Sequence, residues 1–243
     1  MSNIAVVPMD IHKRFSKAVA MTKEGDVLQT WRVDHHDRRE MERFFKGFES
    51  GTDVVMEATF NWPWIADLAE KLGLKPQLTH SSRAREMAKG MSKSDRKDAI
   101  WLGKLWLSGP VFPGAYLAPP EVRRMRARFR SRALLVDLGV QLKNSIHGIL
   151  HKYGYLVDEV TDLFGKTGRR IMLEKVVDPD AALELGWKLD ALKDLEGHIK
   201  TIEKDIKAQL KEDPRADLLM TLPGVAEITA YALLSEIGDI RRF

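Results

Sequence analysis

Hydrophobic and polar positions alternate in two styles along this 243-residue chain. Up to about residue 108, short apolar runs alternate with helix-spaced segments, the pattern of an α/β domain. Ile4-Ala5-Val6-Val7, Ser16–Met21 and Val27–Val33 read as strands, with Lys23-Glu24-Gly25-Asp26 as the hairpin turn between the last two. The pattern then predicts a helix from Asp37 to Phe48, a buried strand at Asp53-Val54-Val55-Met56, a helix from Asn61 to Leu72 and a strand at Lys75–Leu78. Breakers at Gly109-Pro110, Pro113-Gly114 and Pro119-Pro120 interrupt it. From Glu121 the chain turns to long helix. Leu135, Leu138, Leu142, Ile146, Ile149 and Tyr153 recur every three or four residues, and Leu192, Leu195, Ile199, Ile202 and Ile206 follow a heptad-like spacing. Residues 109–213 are therefore expected to be a helical, coiled-coil-like connector. Its two apolar faces pair either as an antiparallel hairpin or between subunits. A third region, 214–243, reads as two short helices joined by a tight turn at Leu222-Pro223-Gly224-Val225.

Composition adds exclusions. An apolar fraction of 44% and a charged fraction of 30% are those of an ordinary soluble protein. No window reaches the ~18 consecutive apolar residues of a membrane span, and Met1–Ile4 has no basic leader stretch. The absence of cysteine rules out disulfides and thiolate metal sites and fits a cytoplasmic protein.

The net charge is only +4, but it is unevenly placed. Arg123, Arg124, Arg126, Arg128, Arg130 and Arg132 fall within ten residues. Such a stripe is an electrostatic footprint for nucleic-acid phosphates, against the plainer alternative of a solvated helix face. The Leu-Pro-Gly-Val turn around Gly224 resembles a helix-hairpin-helix, whose turn amides contact phosphate, or else is a simple interhelical turn.

Four acidic residues suggest chemistry. Asp10 and Glu57 stand at the ends of predicted strands, where side chains of an open α/β sheet converge on a crevice. Asp95 and Asp98, three apart at the start of a helical pattern, share one helix face. Hard cations such as Mg²⁺ or Mn²⁺ take oxygen ligands, and a pair of them about 3.5–4 Å apart clamps a phosphodiester. Each residue also has an ordinary reading, as a turn, a helix cap or a complement to a helix dipole.

Five motifs then occur in order: Met9-Asp10-Ile11-His12-Lys13, Met56-Glu57-Ala58-Thr59, Ser94-Asp95-Arg96-Lys97-Asp98-Ala99, Leu142-Lys143-Asn144-Ser145-Ile146-His147 and Leu222-Pro223-Gly224-Val225. Together they resemble the DEDD transposases of insertion sequences (the IS-one-ten group, which includes pilin-gene invertases). The resemblance covers essentially the whole chain. It implies an RNase H-like, RuvC-like first domain over 1–108, a helical connector and the start of a C-terminal transposase domain.

It further implies Asp10, Glu57, Asp95 and Asp98 as catalytic ligands of Mg²⁺ or Mn²⁺, with Lys143 and Gly224 joining the arginines as nucleic-acid contacts. DNA is the implied substrate, a structured bridge RNA the implied guide, and a homo-oligomer (dimer or tetramer) the implied assembly, cytoplasmic and nucleoid-associated when acting. A stand-alone junction nuclease and a non-catalytic nucleic-acid-binding protein are the alternatives.

Two departures from the family pattern stand out. Pro8-Met9 replaces a glycine followed by an aliphatic residue, and proline is awkward in a central strand, so a bulge is expected at the end of the first strand. The family's nucleophilic serine lies beyond Leu222–Val225, where the chain ends, so the third domain is expected to be incomplete and to form no covalent DNA adduct. Ser235 is not assigned that role.

Two other motifs are incomplete. Gly165-Lys166-Thr167 lacks the earlier glycine of a phosphate-binding loop, since position 160 is Val160, and no Glu follows His147 to make a zinc-protease motif with His151. Trp101 and Trp106 read as core.

Overall fold

The computed structural model describes residues 3–87 and 94–243, so Met1 and Ser2, read above for a leader, lie outside the described residues. The chain divides into two compact units, Met1–Leu117 and Ala118–Phe243.

The first unit is a three-layer α/β sandwich. Its strands are β1 (Val6–Ile11), β2 (Phe15–Met21), β3 (Val27–Asp34), β4 (Asp53–Glu57), β5 (Lys75–Thr79) and β6 (Gly114–Ala115), in sheet order β3-β2-β1-β4-β5-β6. β1 runs antiparallel to β2 and parallel to β4, and β5 is parallel to β4. This α/β architecture is consistent with the expected RNase H-like domain. Helices α1 (Arg38–Phe45), α2 (Trp62–Lys71), α3 (Ser81–Met87) and α4 (Asp95–Leu107) complete the unit.

Alternation along the strands sends successive side chains to opposite faces. Val7, Met9, Val54 and Met56 join Met41 and Phe45 of α1 and Ile65, Ala66 and Ala69 of α2 in one core. Val6, Val19, Met21 and Val55 meet Ala99 and Leu102 of α4 in the other. The β2–β3 turn is the one expected: Gly25 has φ +89°, the Thr22 N–H donates to the Asp26 carbonyl (3.0 Å), and the Thr22 hydroxyl accepts from the Asp26 N–H (3.2 Å).

Three expectations need correction. The first strand begins at Val6 rather than Ile4 and runs on to Ile11, so Asp10, expected at its end, lies one residue inside it. No bulge occurs there either. Register with β2 is the same at Val6↔Met21 and at Met9↔Ala18, and the ladder simply skips Val7 and Pro8, since proline has no N–H to donate. The irregularity falls instead between β2 and β3, at Ala20/Met21. Finally, the sheet unit extends past residue 108, because Gly114 and Ala115 pair with Thr79 and Leu78.

The second unit is helical: α5 (Pro120–Lys152), α6 (Lys166–Lys175), α7 (Pro179–Leu210), α8 (Pro214–Met220) and α9 (Glu227–Ile237). Ile146, Ile149 and Leu150 near the end of α5 pack on Ala181, Leu185, Leu189 and Leu192 near the start of α7. Met125 and Phe129 at the other end of α5 meet Ile202, Ile206 and Leu210. The two long helices thus form an antiparallel hairpin within the chain. Leu138 departs from the predicted apolar face: it is exposed, while its neighbour Gly139 is buried close to Leu192. α8 and α9 pack with this hairpin, with Ala216 and the fully buried Tyr231 entering the same core as Ile206.

Candidate functional site

The acidic residues meet where β1, β4 and α4 come together. Met9 lies beside Met56 in the parallel β1–β4 pair, so the next residues, Asp10 and Glu57, follow on neighbouring strands and face the same side. That side is the one covered by α4, since Asp10 shares the face of Val6, and Glu57 that of Val55. α4 begins at Asp95 with Ser94 as N-cap, the Ser94 hydroxyl accepting from the Lys97 N–H. Asp95 and Asp98 both sit in its first turn, where a carboxylate complements the helix dipole.

α4 approaches the sheet closely because it carries Gly103 against Pro8. A Cβ added at Gly103 would come within 2.8 Å of Pro8 Cγ and nearer still to Met21 Sδ. Pro8 and Gly103 are complementary shapes, and together they set the height of the Asp95 turn over β1.

Of the four acidic positions, Asp10 and Asp95 are brought into one group, and His12 completes it. One ligand atom from each of Asp10, His12 and Asp95 lies within 4.8 Å of the others. His12 Nε2 is 2.9 Å from Asp10 Oδ2 and 3.5 Å from Asp95 Oδ2. The side chains are 24%, 37% and 46% exposed for Asp10, His12 and Asp95, so the group is partly open to solvent.

Glu57 and Asp98 are not members of that group. Glu57 adjoins it through strand register, and Asp98 is close enough to act electrostatically. Burial pushes the Asp10 carboxyl above the usual carboxylate range; the charge of His12 and its hydrogen bond oppose this, and Asp98 and Asp95 add to it. A buried carboxylate among other carboxylates is what a cation compensates. The donor set of carboxylate oxygens and one imidazole fits a divalent ion.

Sequence reasoning passed over His12. The signal was available, because residues two apart on a strand share a face and Asp10-Ile11-His12 places the ring beside the carboxylate.

The arginine stripe on α5 is largely engaged within its own unit. Arg123 Nη1 donates to the Ala118 carbonyl (2.6 Å). Arg126 donates to the Ser235 and Glu236 carbonyls at the end of α9 (2.7 and 2.8 Å). Arg128 reaches the Tyr231 hydroxyl (3.3 Å) and Asp205, Arg130 grips the Glu236 carboxylate in a fork (2.9 Å twice), and Arg132 binds Glu203 (2.8 and 2.6 Å). The fork from Arg130 holds the Glu236 carboxyl below its usual range. Arg124 is exposed and makes no such bond among the described residues.

Arg126→Ala is accordingly expected to lower the stability of the helical unit by roughly 1–3 kcal/mol, because two carbonyls ending α9 lose a charged donor. Arg124→Ala should leave the unfolding temperature alone, weaken DNA binding, and reduce the salt slope of that binding by up to about one unit. Paired thermal melts and salt-dependent binding titrations separate the two roles, and equal stability in both variants would contradict the assignment.

Lys143 stands over the Phe164 ring at 5.3 Å. Gly224 is exposed, with φ +82°, at the third position of a turn closed by the Val225 N–H on the Leu222 carbonyl (3.1 Å), a conformation that suits proline followed by glycine. Ser235 is fully buried in α9, its hydroxyl donating to the Ala232 carbonyl (2.9 Å). Among the described residues no helix is long and apolar enough to cross a membrane.

A model of DEDD-type IS110 transposases matches residues 7–155, and a second, described as transposase IS116/IS110/IS902 family, matches residues 216–243. A probable family 20 transposase of Pseudomonas aeruginosa is 27% identical over 233 residues, covering 89% of this chain and 67% of that protein. The transposase for insertion sequence element IS1111A of Coxiella burnetii is 24% identical, covering 100% of this chain and 66% of its own length. The transposase for IS1328 of Yersinia enterocolitica is 23% identical, covering 100% and 71% respectively. The chain thus spans roughly two thirds of the length of these relatives. All four acidic positions fall inside the first matched region, together with β4, α4 and all of β1 but Val6. With that match covering more than half of its residues, the chain belongs to the IS110 family of insertion-sequence transposases.

Proposed function

We propose that the sheet unit is the DNA-cleaving domain of a transposase, with Asp10, Glu57, Asp95 and Asp98 as the acidic set that holds Mg²⁺ or Mn²⁺ beside a scissile phosphodiester. The observation that carries this reading is the approach of Asp10 and Asp95 from a central strand and a separate helix, within one family-matched region. Such a cation supplies Lewis-acid stabilisation of charge on the phosphate oxygens and lowers the pKa of an attacking hydroxyl.

The protein's own part is positional. The β1–β4 register sets Asp10 beside Glu57, and the Pro8–Gly103 contact sets the distance of the Asp95 turn from both. Asn61 Nδ2 donates to the His12 carbonyl (2.9 Å) and the Lys13 carbonyl (3.2 Å), tying the loop after Glu57 to the β1–β2 turn.

In this reading the helical unit supplies nucleic-acid contacts through Arg124, Lys143 and the Gly224 turn, the last in the manner of a helix-hairpin-helix. The other stripe arginines act first as structural pairs. A structured guide RNA and assembly into dimers or tetramers complete the proposal, supported by the family resemblance. The test is nicking of branched DNA by this chain: it should require Mg²⁺ or Mn²⁺ and stop on chelation, and nicking that continues in excess chelator would exclude this metal role.

A further inference from the structure

His12 is held more firmly, and aimed more specifically, than a histidine that merely neutralises Asp10 requires. Its N–H donates to the Phe15 carbonyl (2.9 Å), closing the β1–β2 hairpin, and its carbonyl accepts from Asn61 Nδ2 (2.9 Å). Its ring stacks on Phe15 with centroids 4.6 Å apart, and the Arg32 guanidinium covers that phenyl ring at 3.4 Å. These contacts fix the ring so that Nε2 lies between two carboxylates supplied by different elements, 2.9 Å from Asp10 Oδ2 and 3.5 Å from Asp95 Oδ2.

We propose that His12 is itself a metal ligand through Nε2, alongside Asp10 and Asp95, and that the resulting nitrogen–oxygen set favours transition-metal ions such as Mn²⁺ over Mg²⁺. This rests on the reading of the carboxylate group as a divalent-cation site. Two ligands about 2.1 Å from an ion and at right angles to each other are about 3.0 Å apart, so the separations at His12 suit ligands of one coordination shell. A hydrogen bond spans similar distances. Contact with Asp10 alone is therefore explained either way, whereas the placement of Nε2 towards a second carboxylate on α4 is what a shared ion adds.

The chemistry gives the selectivity. Mg²⁺ is a hard ion that keeps oxygen ligands and water, while imidazole raises affinity along the transition series relative to it. His12 is thus expected to contribute more to Mn²⁺ binding than to Mg²⁺ binding.

Electron paramagnetic resonance with Mn²⁺ tests this without reference to activity. Loss of the free-ion signal counts bound Mn²⁺, and electron spin-echo modulation detects a directly coordinated ¹⁴N. The expected result is bound Mn²⁺ with ¹⁴N modulation in the parent. In His12→Gln, which keeps a hydrogen-bond donor near Asp10, the modulation disappears and Mn²⁺ affinity falls on the order of tenfold or more, with Mg²⁺ affinity changed much less.

Should that variant fold poorly, ¹⁵N-histidine labelling of the parent replaces it, and the modulation must then change to that of ¹⁵N. Bound Mn²⁺ without nitrogen modulation, or modulation that persists in His12→Gln, overturns the role of His12 and leaves the carboxylate site standing. No bound Mn²⁺ at millimolar concentration overturns both.

Discussion

Asp10→Asn is expected to reduce metal-dependent nicking of branched DNA by on the order of 10²–10³-fold or more while raising the stability of the metal-free chain. The two effects have one cause. Asp10 is mostly buried, and its carboxyl is pushed above the usual range by burial and by Asp98 and Asp95, against the pull of His12. A carboxyl whose folded pKa is raised makes the ionised form unfavourable to folding at neutral pH, so a neutral amide of the same shape relieves that cost. The Asn oxygen still accepts from His12, so the local hydrogen bond survives. Activity lost together with stability gained is the signature of a residue kept for function. Nicking at the parental rate by Asp10→Asn, or a loss of activity that tracks unfolding, would contradict this account.

The second large effect is expected at a residue with no functional group. Gly103→Ala places a methyl within 2.8 Å of Pro8 Cγ and closer to Met21 Sδ. Pro8 is fixed in a central strand and Met21 is fully buried, so neither has room to withdraw. Alanine gains up to about 1 kcal/mol of helix propensity, but overpacking costs about 1–3 kcal/mol, and the net expectation is destabilisation. Relief by lifting α4 also draws Asp95 away from Asp10, so metal affinity should fall with stability. Urea unfolding and metal titration of the same variant check both halves, and a variant as stable as the parent that binds metal equally well would show that the Pro8–Gly103 contact does not set the site.

Pro8 also marks how far local rules carry. Proline at that position argues for a bulge by propensity, yet the strand passes through in register, and the ring instead meets a glycine 95 residues later in the chain. The five longer strands, the helices after Asp37 and Asn61, the helix that opens at Asp95 and both long helices were legible from periodicity, because each buries a continuous face. α6 was not legible. Its Gly165-Lys166-Thr167 start is polar, and of its two buried residues Gly168 sits against the nearby Asp162 and Leu163 backbone while only Met172 joins the core shared by α5 and α7. β6, two residues long, carries no periodicity at all.

The placement of the acidic residues was legible in part: Glu57 does end its strand and Asp95 does open its helix, while Asp10 lies one residue inside β1. His12 was legible in principle from its spacing to Asp10, but nothing local reveals that Asp95 stands across from it. The arginine stripe shows the opposite limit. Its charge is plain in the sequence, whereas the partners that absorb most of it, Glu203, Ser235 and Glu236, lie 71 to 110 residues away.

The end of β1 and the start of α4 are proposed to hold a divalent cation together. Thermal unfolding of the chain with and without Mn²⁺ or Mg²⁺, in the parent and in an Asp10→Asn/Asp95→Asn variant, tests it most directly. Binding to the folded state alone should stabilise the parent by about 2.7 kcal/mol when the metal exceeds its Kd a hundredfold, and that increment should vanish in the double variant. No shift in the parent at millimolar metal, or an equal shift in both proteins, would contradict it.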